Sequence, residues 1–256
     1  MKKRIKLVQV GGGSSYTPDF AEILINRRDD FPVKDWVLYD IDQKRNEIVG
    51  NFTKKFLQSA NMDTNLITAS DLNKAMVGAD FVITTMRVGL SDGRIFDATI
   101  PPKHGMMIGQ ETTAPGGLAM GLRNIPVLLD VAEAMKKHAS PGAWLINLAN
   151  PSGMLMEALN QHSTIKFAGL CNGPTVFRKA AAEAMKADPK DVFCRIQGLN
   201  HLSWMKVYLK GEDVTEDAIY KLHEWVGENI PPLRTEQSDL GIQHFAGWIP
   251  MGPYLR

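Results

Sequence analysis

The sequence has few of the features that mark secreted, membrane-spanning or nucleic-acid-binding proteins. It has only two cysteines, Cys171 and Cys194, in 256 residues, too few for a disulfide framework. No apolar run is long enough to cross a bilayer, and no internal repeat or low-complexity tract is present. The formal net charge is +1 at pH 7, so no field of one sign favours nucleic acid or an anionic membrane. We therefore expect a cytoplasmic protein with neither nucleic-acid nor membrane partners.

Strand-like and helix-like segments alternate over the first two thirds of the chain, which predicts an α/β fold with a doubly wound, Rossmann-like parallel sheet. We predict an NAD-binding domain at residues 1–170, and the first part of an α+β substrate- and metal-binding domain at residues 171–256. The predicted strands of the first domain are residues 5–10, 36–40, 66–68, 81–85, 144–148 and 166–170, and its helices are residues 18–27, 44–57, 72–77 and 125–137. In the second domain we predict helices at residues 175–187, 216–228 and about 233–243, strands at residues 193–197 and 205–209, and a turn at residues 211–213.

A glycine-rich turn follows the first predicted strand and is the first candidate site. Gly11 and Gly13 fit a turn that lets a pyrophosphate approach the backbone at a helix N-terminus. Ser14 and Ser15 continue the turn, but Tyr16 occupies the third glycine position. The glycines alone would also fit an ordinary strand-to-helix turn.

An acidic residue at the end of the second strand favours the cofactor interpretation. Asp40 stands where a carboxylate binds the adenosine ribose of NAD and disfavours a 2′-phosphate. Arg45 lies close by in the sequence, so NADP stays open as an alternative. The combination of strand, glycines, helix, strand and acid predicts an NAD site.

The segment 109–117 is too polar and glycine-rich for a core element, and it follows the fourth predicted strand. Ligands collect at the carboxyl ends of such strands, so we favour a substrate loop over a surface Ω-loop and include Glu111 among the substrate-binding candidates. Arg87, Arg94 and Arg123 flank the segment and could hold an anionic substrate group. Each of these arginines also fits a solvated charge or a structural ion pair.

Cys171 and His201 are candidate metal ligands. Taken singly, each fits a non-functional role, the cysteine as a small buried apolar residue and the histidine as a core or surface residue. Two protein ligands are too few for a structural zinc site. Together with substrate oxygens, however, they could form an open catalytic site for a divalent metal.

Several motifs in the same order and spacing identify a family resemblance over essentially the whole chain. The sequence resembles glycoside hydrolase family 4, the NAD- and metal-dependent glycosidases. The matching motifs are Gly11-Gly12-Gly13-Ser14, Arg87-Val88-Gly89 to Arg94, Gly109-Gln110-Glu111-Thr112, Gly116-Gly117, Arg123-Asn124-Ile125-Pro126, Asn150-Pro151, Cys171-Asn172, Asn200-His201 and Pro253-Tyr254-Leu255-Arg256.

The resemblance implies a role for five residues. Cys171 and His201 would hold Mn²⁺ or another divalent metal, Asn150 would bind substrate hydroxyls, and Tyr254 would be the catalytic base. Asn172, directly after the cysteine, resembles the 6-phospho-β-glucosidases, whereas an aspartate there would resemble the α-glycosidases. The implied substrate is a phosphorylated disaccharide or β-glucoside.

The resemblance also implies a mechanism of oxidation, elimination, addition and reduction. NAD⁺ takes a hydride from sugar C3, and the resulting ketone acidifies the C2 proton, which Tyr254 removes. The metal stabilises the developing enolate as a Lewis acid. The glycosidic oxygen then leaves, water adds, and the hydride returns, so NAD is not consumed.

Family members continue beyond the Tyr254 motif, so we expect the remainder of the second domain to be absent and hydrolysis by this chain to be weak or absent. The full-length family form is expected to be a homo-oligomer. Two alternatives remain open at this stage. One is a 2-hydroxyacid dehydrogenase of the lactate/malate type, which would need no metal. The other is a truncated, non-catalytic NAD-binding protein.

Overall fold

The computed structural model describes residues 4–106, 114–199 and 202–229. Contacts divide the chain into two units, Met1–Leu170 and Cys171–Arg256. No helix within the described ranges combines the length and apolarity needed to cross a membrane.

The first unit is built on a parallel sheet. Its strands are β1 (Ile5–Val10), β2 (Val33–Tyr39), β3 (Asn65–Ala69), β4 (Phe81–Thr84), β5 (Trp144–Asn147) and β6 (Lys166–Gly169). The six strands lie in the order β3-β2-β1-β4-β5-β6, and every adjacent pair is parallel. The doubly wound, Rossmann-like prediction is therefore confirmed.

Helices cover both faces of this sheet. They are α1 (Thr17–Asn26), α2 (Gln43–Ser59), α3 (Leu72–Met76), α4 (Leu90–Lys103), α5 (Ala114–His138) and α6 (Ser152–His162). Successive side chains of a strand point to opposite faces, so Leu7 and Val8 of β1 enter different cores. Leu7 packs in one cluster with Ala21 of α1 and Leu57 of α2. Val8 packs in the other, with residues of α3, α5 and α6 such as Leu128.

The helices differ from the prediction in three places. Helices α4 and α6 have no counterpart among the predicted elements. Helix α5 begins at Ala114, well before residue 125, so the last part of the segment 109–117 is helical and not loop. Gly116 and Gly117 each cost roughly 1 kcal/mol relative to alanine in a helix. Both are buried at the start of α5.

The second unit contains a small antiparallel sheet with helices. Its elements are α7 (Gly173–Ala184), β7 (Val192–Leu199), β8 (Leu202–Leu209), β9 (Glu212–Asp213) and α8 (Thr215–Asn229). The strands lie in the order β7-β8-β9, and Ala181, Val207 and Leu222 join both helices to the sheet in one core. The turn predicted at residues 211–213 includes the short strand β9. The helix predicted near residues 233–243 lies outside the described residues.

Candidate active site

The glycine turn lies at the point where the strand order of the sheet reverses. Strand β1 pairs with β2 on one side and β4 on the other, and ligands bind beyond the carboxyl ends of strands at such a position. The backbone N–H groups of Gly11 and Gly12 both donate to the carbonyl oxygen of Tyr39, each at 2.9 Å. These bonds tie the turn to the end of β2.

Both glycines of the predicted motif are closely packed in the turn. Gly11 has a φ of +93°, and a Cβ there would lie 2.9 Å from the backbone nitrogen of Met86. A Cβ on Gly13 would lie 3.0 Å from a carboxylate oxygen of Asp40. The missing side chains therefore let the turn pack directly against Met86 and Asp40.

Three of the predicted cofactor residues lie in direct contact. The N–H of Gly13 donates to Asp40 Oδ2 at 2.9 Å, and Arg45 Nε donates to the carbonyl oxygen of Gly13 at 2.7 Å. The other carboxylate oxygen of Asp40 accepts from the N–H of Asp42 at 3.0 Å. Both carboxylate oxygens are thus held by backbone N–H groups at the carboxyl end of β2.

The two serines of the turn differ in their surroundings. Ser14 Oγ accepts from the N–H of Tyr16 at 3.2 Å, whereas Ser15 is exposed. Two buried polar side chains that the sequence analysis missed support the turn from below. Gln9 Nε2 donates to Thr17 Oγ1 at 2.9 Å, and Thr17 Oγ1 donates to the carbonyl oxygen of Gly12 at 2.8 Å.

The three arginines considered for an anionic group have different environments. Arg123 Nη1 donates to the buried carboxylate of Asp97 at 2.9 Å, and its Nε donates to the carbonyl oxygen of Val88 at 3.1 Å. The hydrogen bond to Asp97 raises the pKa of Arg123 above its usual value. Arg123 therefore forms a structural ion pair with Asp97, which is one of the alternatives that the sequence left open for this arginine. Arg94 lies exposed near the start of α4, and Arg87 is half-buried between β4 and α4.

Asn150 follows strand β5 and lies in a segment held by buried amides. The carbonyl oxygen of Asn150 accepts from Asn124 Nδ2 at 2.6 Å, and the Asn150–Pro151 peptide is cis. Asn147 Nδ2 donates to the carbonyl oxygen of Ala149 at 2.8 Å. Asn124 belongs to the Arg123-Asn124-Ile125-Pro126 motif, but the sequence alone indicates no role for it.

The described part of the second unit includes one of the two predicted metal ligands, Cys171. Cys171 is exposed, not the small buried apolar residue that a lone cysteine could have been, and Asn172 is the N-cap of α7. His201, Glu111 and Tyr254 lie outside the described residues. In the described ranges, no group of three or more His, Cys, Asp or Glu side chains could hold a metal ion. A pair of sulfur and nitrogen donors with open positions still suits a divalent metal that also binds substrate.

Comparisons with known proteins decide the family. The family described as "Family 4 glycosyl hydrolase" matches residues 6–187 of the sequence. The chain belongs to glycosyl hydrolase family 4. A probable 6-phospho-beta-glucosidase of Bacillus subtilis is 42% identical over 223 residues, covering 86% of this chain and 50% of that protein. The family prediction is therefore confirmed, and the 2-hydroxyacid dehydrogenase alternative is disfavoured.

Solved structures of family 4 relatives show the same fold. The 6-phospho-beta glucosidase of Thermotoga maritima, with manganese, NAD⁺ and glucose-6-phosphate, has a TM-score of 0.78 and 36% identity, covering 89% of this chain and 55% of that one. A 6-phospho-alpha-glucosidase from gut microorganisms, with NAD and glucose-6-phosphate, has a TM-score of 0.81 and 29% identity, covering 87% and 52%. The chain spans about half the length of the relatives it matches.

Proposed function

We propose that this chain provides the NAD-binding domain and the start of the substrate domain of a 6-phospho-β-glucosidase. One observation carries the proposal: in a family 4 chain, the Asp40 carboxylate is fixed beside the Gly13 N–H at 2.9 Å, at the switch point of the sheet. The two relatives with solved structures both contain NAD and glucose-6-phosphate, which supports the same ligand classes here.

Each candidate residue has a proposed role. When bound, NAD supplies a reversible hydride acceptor and a divalent metal supplies a Lewis acid. The open turn holds the pyrophosphate and Asp40 the ribose, while Asn150 orients the sugar hydroxyls. Tyr254 accepts the proton from sugar C2. The remaining proposed contacts are Ser14, Ser15 and Arg45 to the cofactor, Arg94, Glu111 and Asn172 to the substrate, and Cys171 and His201 to the metal.

The β over α preference is proposed from Asn172 and from the Bacillus subtilis relative. The α-glucosidase structure at 29% identity makes the anomer the question to test. The assay compares p-nitrophenyl 6-phospho-β-glucoside with its α-anomer, in the presence of NAD⁺, Mn²⁺ and a reductant. We expect release of nitrophenol from the β-anomer that depends on both additions, measured on a form of full family length as well as on this chain. Cleavage of the α-anomer alone would overturn the β assignment, and NAD⁺ binding without turnover in either form would support a non-catalytic role.

The metal proposal has a matched control within the chain. Cys171→Ser should weaken Mn²⁺ binding by more than about tenfold, because a thiolate ligand is lost. Cys194→Ser should leave it unchanged, because Cys194 is not among the proposed ligands and burial raises the pKa of its thiol. Calorimetry measures both variants, with NAD⁺ affinity as the check on folding. Equal Mn²⁺ affinity in the two variants would remove Cys171 from the metal site.

The base proposal requires the longer form. In an active form of full family length, Tyr254→Phe should lower turnover by roughly 10²–10⁴, the usual contribution of a positioned base. Exchange of the C2 proton with solvent should fall in parallel, as followed by NMR in D₂O. Normal turnover and exchange in that variant would assign the base to another group.

A further inference from the structure

A fully buried asparagine on α5 connects two segments of the proposed active site. Asn124 has 0% exposure. Its Oδ1 accepts from the N–H of Val88 at 3.0 Å, and its Nδ2 donates to the carbonyl oxygen of Asn150 at 2.6 Å. One partner can only donate and the other can only accept, so the orientation of the amide is determined by its surroundings.

The two bonded segments follow neighbouring strands. Val88 lies between β4 and α4, Asn150 lies between β5 and α6, and β4 pairs directly with β5. The carbonyl oxygen of Val88 accepts from Nε of Arg123, the residue before Asn124, at 3.1 Å. Consecutive residues of α5 therefore hold both backbone polar groups of Val88, and the second of them also holds Asn150.

Packing supports the same connection independently of the hydrogen bonds. A Cβ on Gly121, one turn before Asn124 on α5, would lie 2.8 Å from Met154 Cε and 3.4 Å from Pro151 Cγ. Helix α5 thus approaches the segment after Asn150 closely. On the strand side, Asn147 Oδ1 accepts from Thr84 Oγ1 at 2.7 Å. The Asn150 segment is held from both sides, and Asn124 provides the hydrogen bond from the helix.

We propose that Asn124 is a positioning residue for sugar-phosphate binding. It sets the backbone of Asn150 at a fixed distance from the segment Arg87–Gly89, so that groups on both segments meet one sugar phosphate. Asn124 itself touches no substrate, because it is buried and both ends of its amide are bonded to backbone. This proposal rests on the proposed function, in which Asn150 binds the sugar hydroxyls.

The test separates the two bonds of Asn124. In Asn124→Asp an ionised carboxylate can still accept from Val88 N–H, but it has no hydrogen to donate to Asn150. In Asn124→Ala both bonds are lost. The control is Asn46→Asp, since Asn46 is also 0% exposed and donates to a backbone carbonyl, that of Leu38, at 2.9 Å. Asn46 lies at the glycine turn and has no bond to Val88 or Asn150 among the described residues.

Hydrogen exchange of backbone amides, measured by NMR, reports on each of the two segments separately. The reporters are the N–H of Val88 and the N–H of Ala149, which donates to Asn147 Oδ1 at 3.2 Å. In Asn124→Asp, exchange of Ala149 should rise about tenfold while that of Val88 changes little, as expected when one of two local restraints is lost. In Asn124→Ala both should rise, and in Asn46→Asp neither should. Unchanged Ala149 exchange in both Asn124 variants overturns the proposal.

Ligand binding by calorimetry distinguishes positioning from general destabilisation. In Asn124→Ala we expect the affinity for glucose 6-phosphate to fall about tenfold, while the affinity for NAD⁺ stays within about twofold of that of the starting protein. Equal loss of both ligands assigns Asn124 a purely structural role and overturns the proposal. If a form of full family length binds NAD⁺ but no glucose 6-phosphate, the proposed function fails, while the exchange data still support or overturn the coupling of the two segments. Should Asn124→Ala not fold, Asn124→Ser serves for the same two measurements, since its hydroxyl is too short to bridge both partners.

Discussion

Gly12→Ala should destabilise the first unit more than a typical surface substitution, although it adds a single methyl group. Gly12 is buried in the turn between β1 and α1, and a Cβ there would lie 2.6 Å from Leu38 Cβ and 3.0 Å from Leu38 Cα. Leu38 belongs to β2, which pairs with both β1 and β3. A neighbour fixed in the interior of a sheet cannot withdraw, so the turn must move.

The decrease in the free energy of unfolding can be estimated from the overpacking and from the hydrogen bonds that the turn would lose on moving. Overpacking a filled interior costs about 1–3 kcal/mol. Displacing Gly12 also strains two hydrogen bonds. One runs from its N–H to the carbonyl oxygen of Tyr39 at 2.9 Å, and the other from Thr17 Oγ1 to its carbonyl oxygen at 2.8 Å. Losing one such hydrogen bond costs about 0.5–1.5 kcal/mol. We therefore expect the free energy of unfolding to fall by roughly 2–4 kcal/mol, which lowers Tm by about 4–16 °C for a domain of this size.

Gly153→Ala is the matched control. Gly153 is exposed in α6, and no described atom lies within 4 Å of its Cβ position. Because alanine is the better helix former, this variant should be neutral or more stable by up to about 1 kcal/mol. Thermal and urea unfolding followed by circular dichroism measure both variants, and NAD⁺ titration follows the turn. Equal stability of the two variants would falsify the assignment of Gly12 to a filled turn.

Three further predictions concern individual side chains. Asp40→Ala should narrow the preference for NAD⁺ over NADP⁺ by about 1–3 kcal/mol, because a charge-assisted hydrogen bond to the ribose is lost; equal binding of both cofactors by the starting protein would contradict this. Arg123→Met should lower the free energy of unfolding by about 2–3 kcal/mol, because it leaves the Asp97 carboxylate, 7% exposed, without its partner. Lys137→Met, in an exposed pair with Glu133, should cost less than about 0.5 kcal/mol, and a similar cost for both variants would refute the distinction. Hydrogen bonds from Thr215 lower the pKa of Asp213 below its usual value. The contribution of Asp213 to stability is therefore present above about pH 4 and is lost as the pH falls through the lowered pKa. Urea unfolding of Asp213→Asn should lack this acid-dependent part, and a pH profile of stability unchanged from the starting protein would contradict the prediction.

Local features of the sequence were sufficient to predict the sheet and the glycine turn. Short runs of apolar and β-branched residues mark each strand, and their alternation with helical segments leads to the parallel arrangement. The positive φ of Gly11 and the position of Asp40 directly after β2 depend on residues close to each strand end. These features are set by backbone geometry over a few residues, so the sequence alone determined them.

The tertiary structure decided which polar groups meet across the chain. Arg123 pairs with Asp97, and Asn124 bonds to Val88 and Asn150, which are 36 and 26 residues away. No local pattern distinguishes an arginine that pairs with a buried carboxylate from one that faces a substrate, because the difference depends on which helix packs beside it. The early start of α5 was missed for the same reason, since the burial of Gly116 and Gly117 overrides their low helix propensity. Hydrogen bonding and packing between distant segments, and not residue type, therefore assigned these side chains their roles.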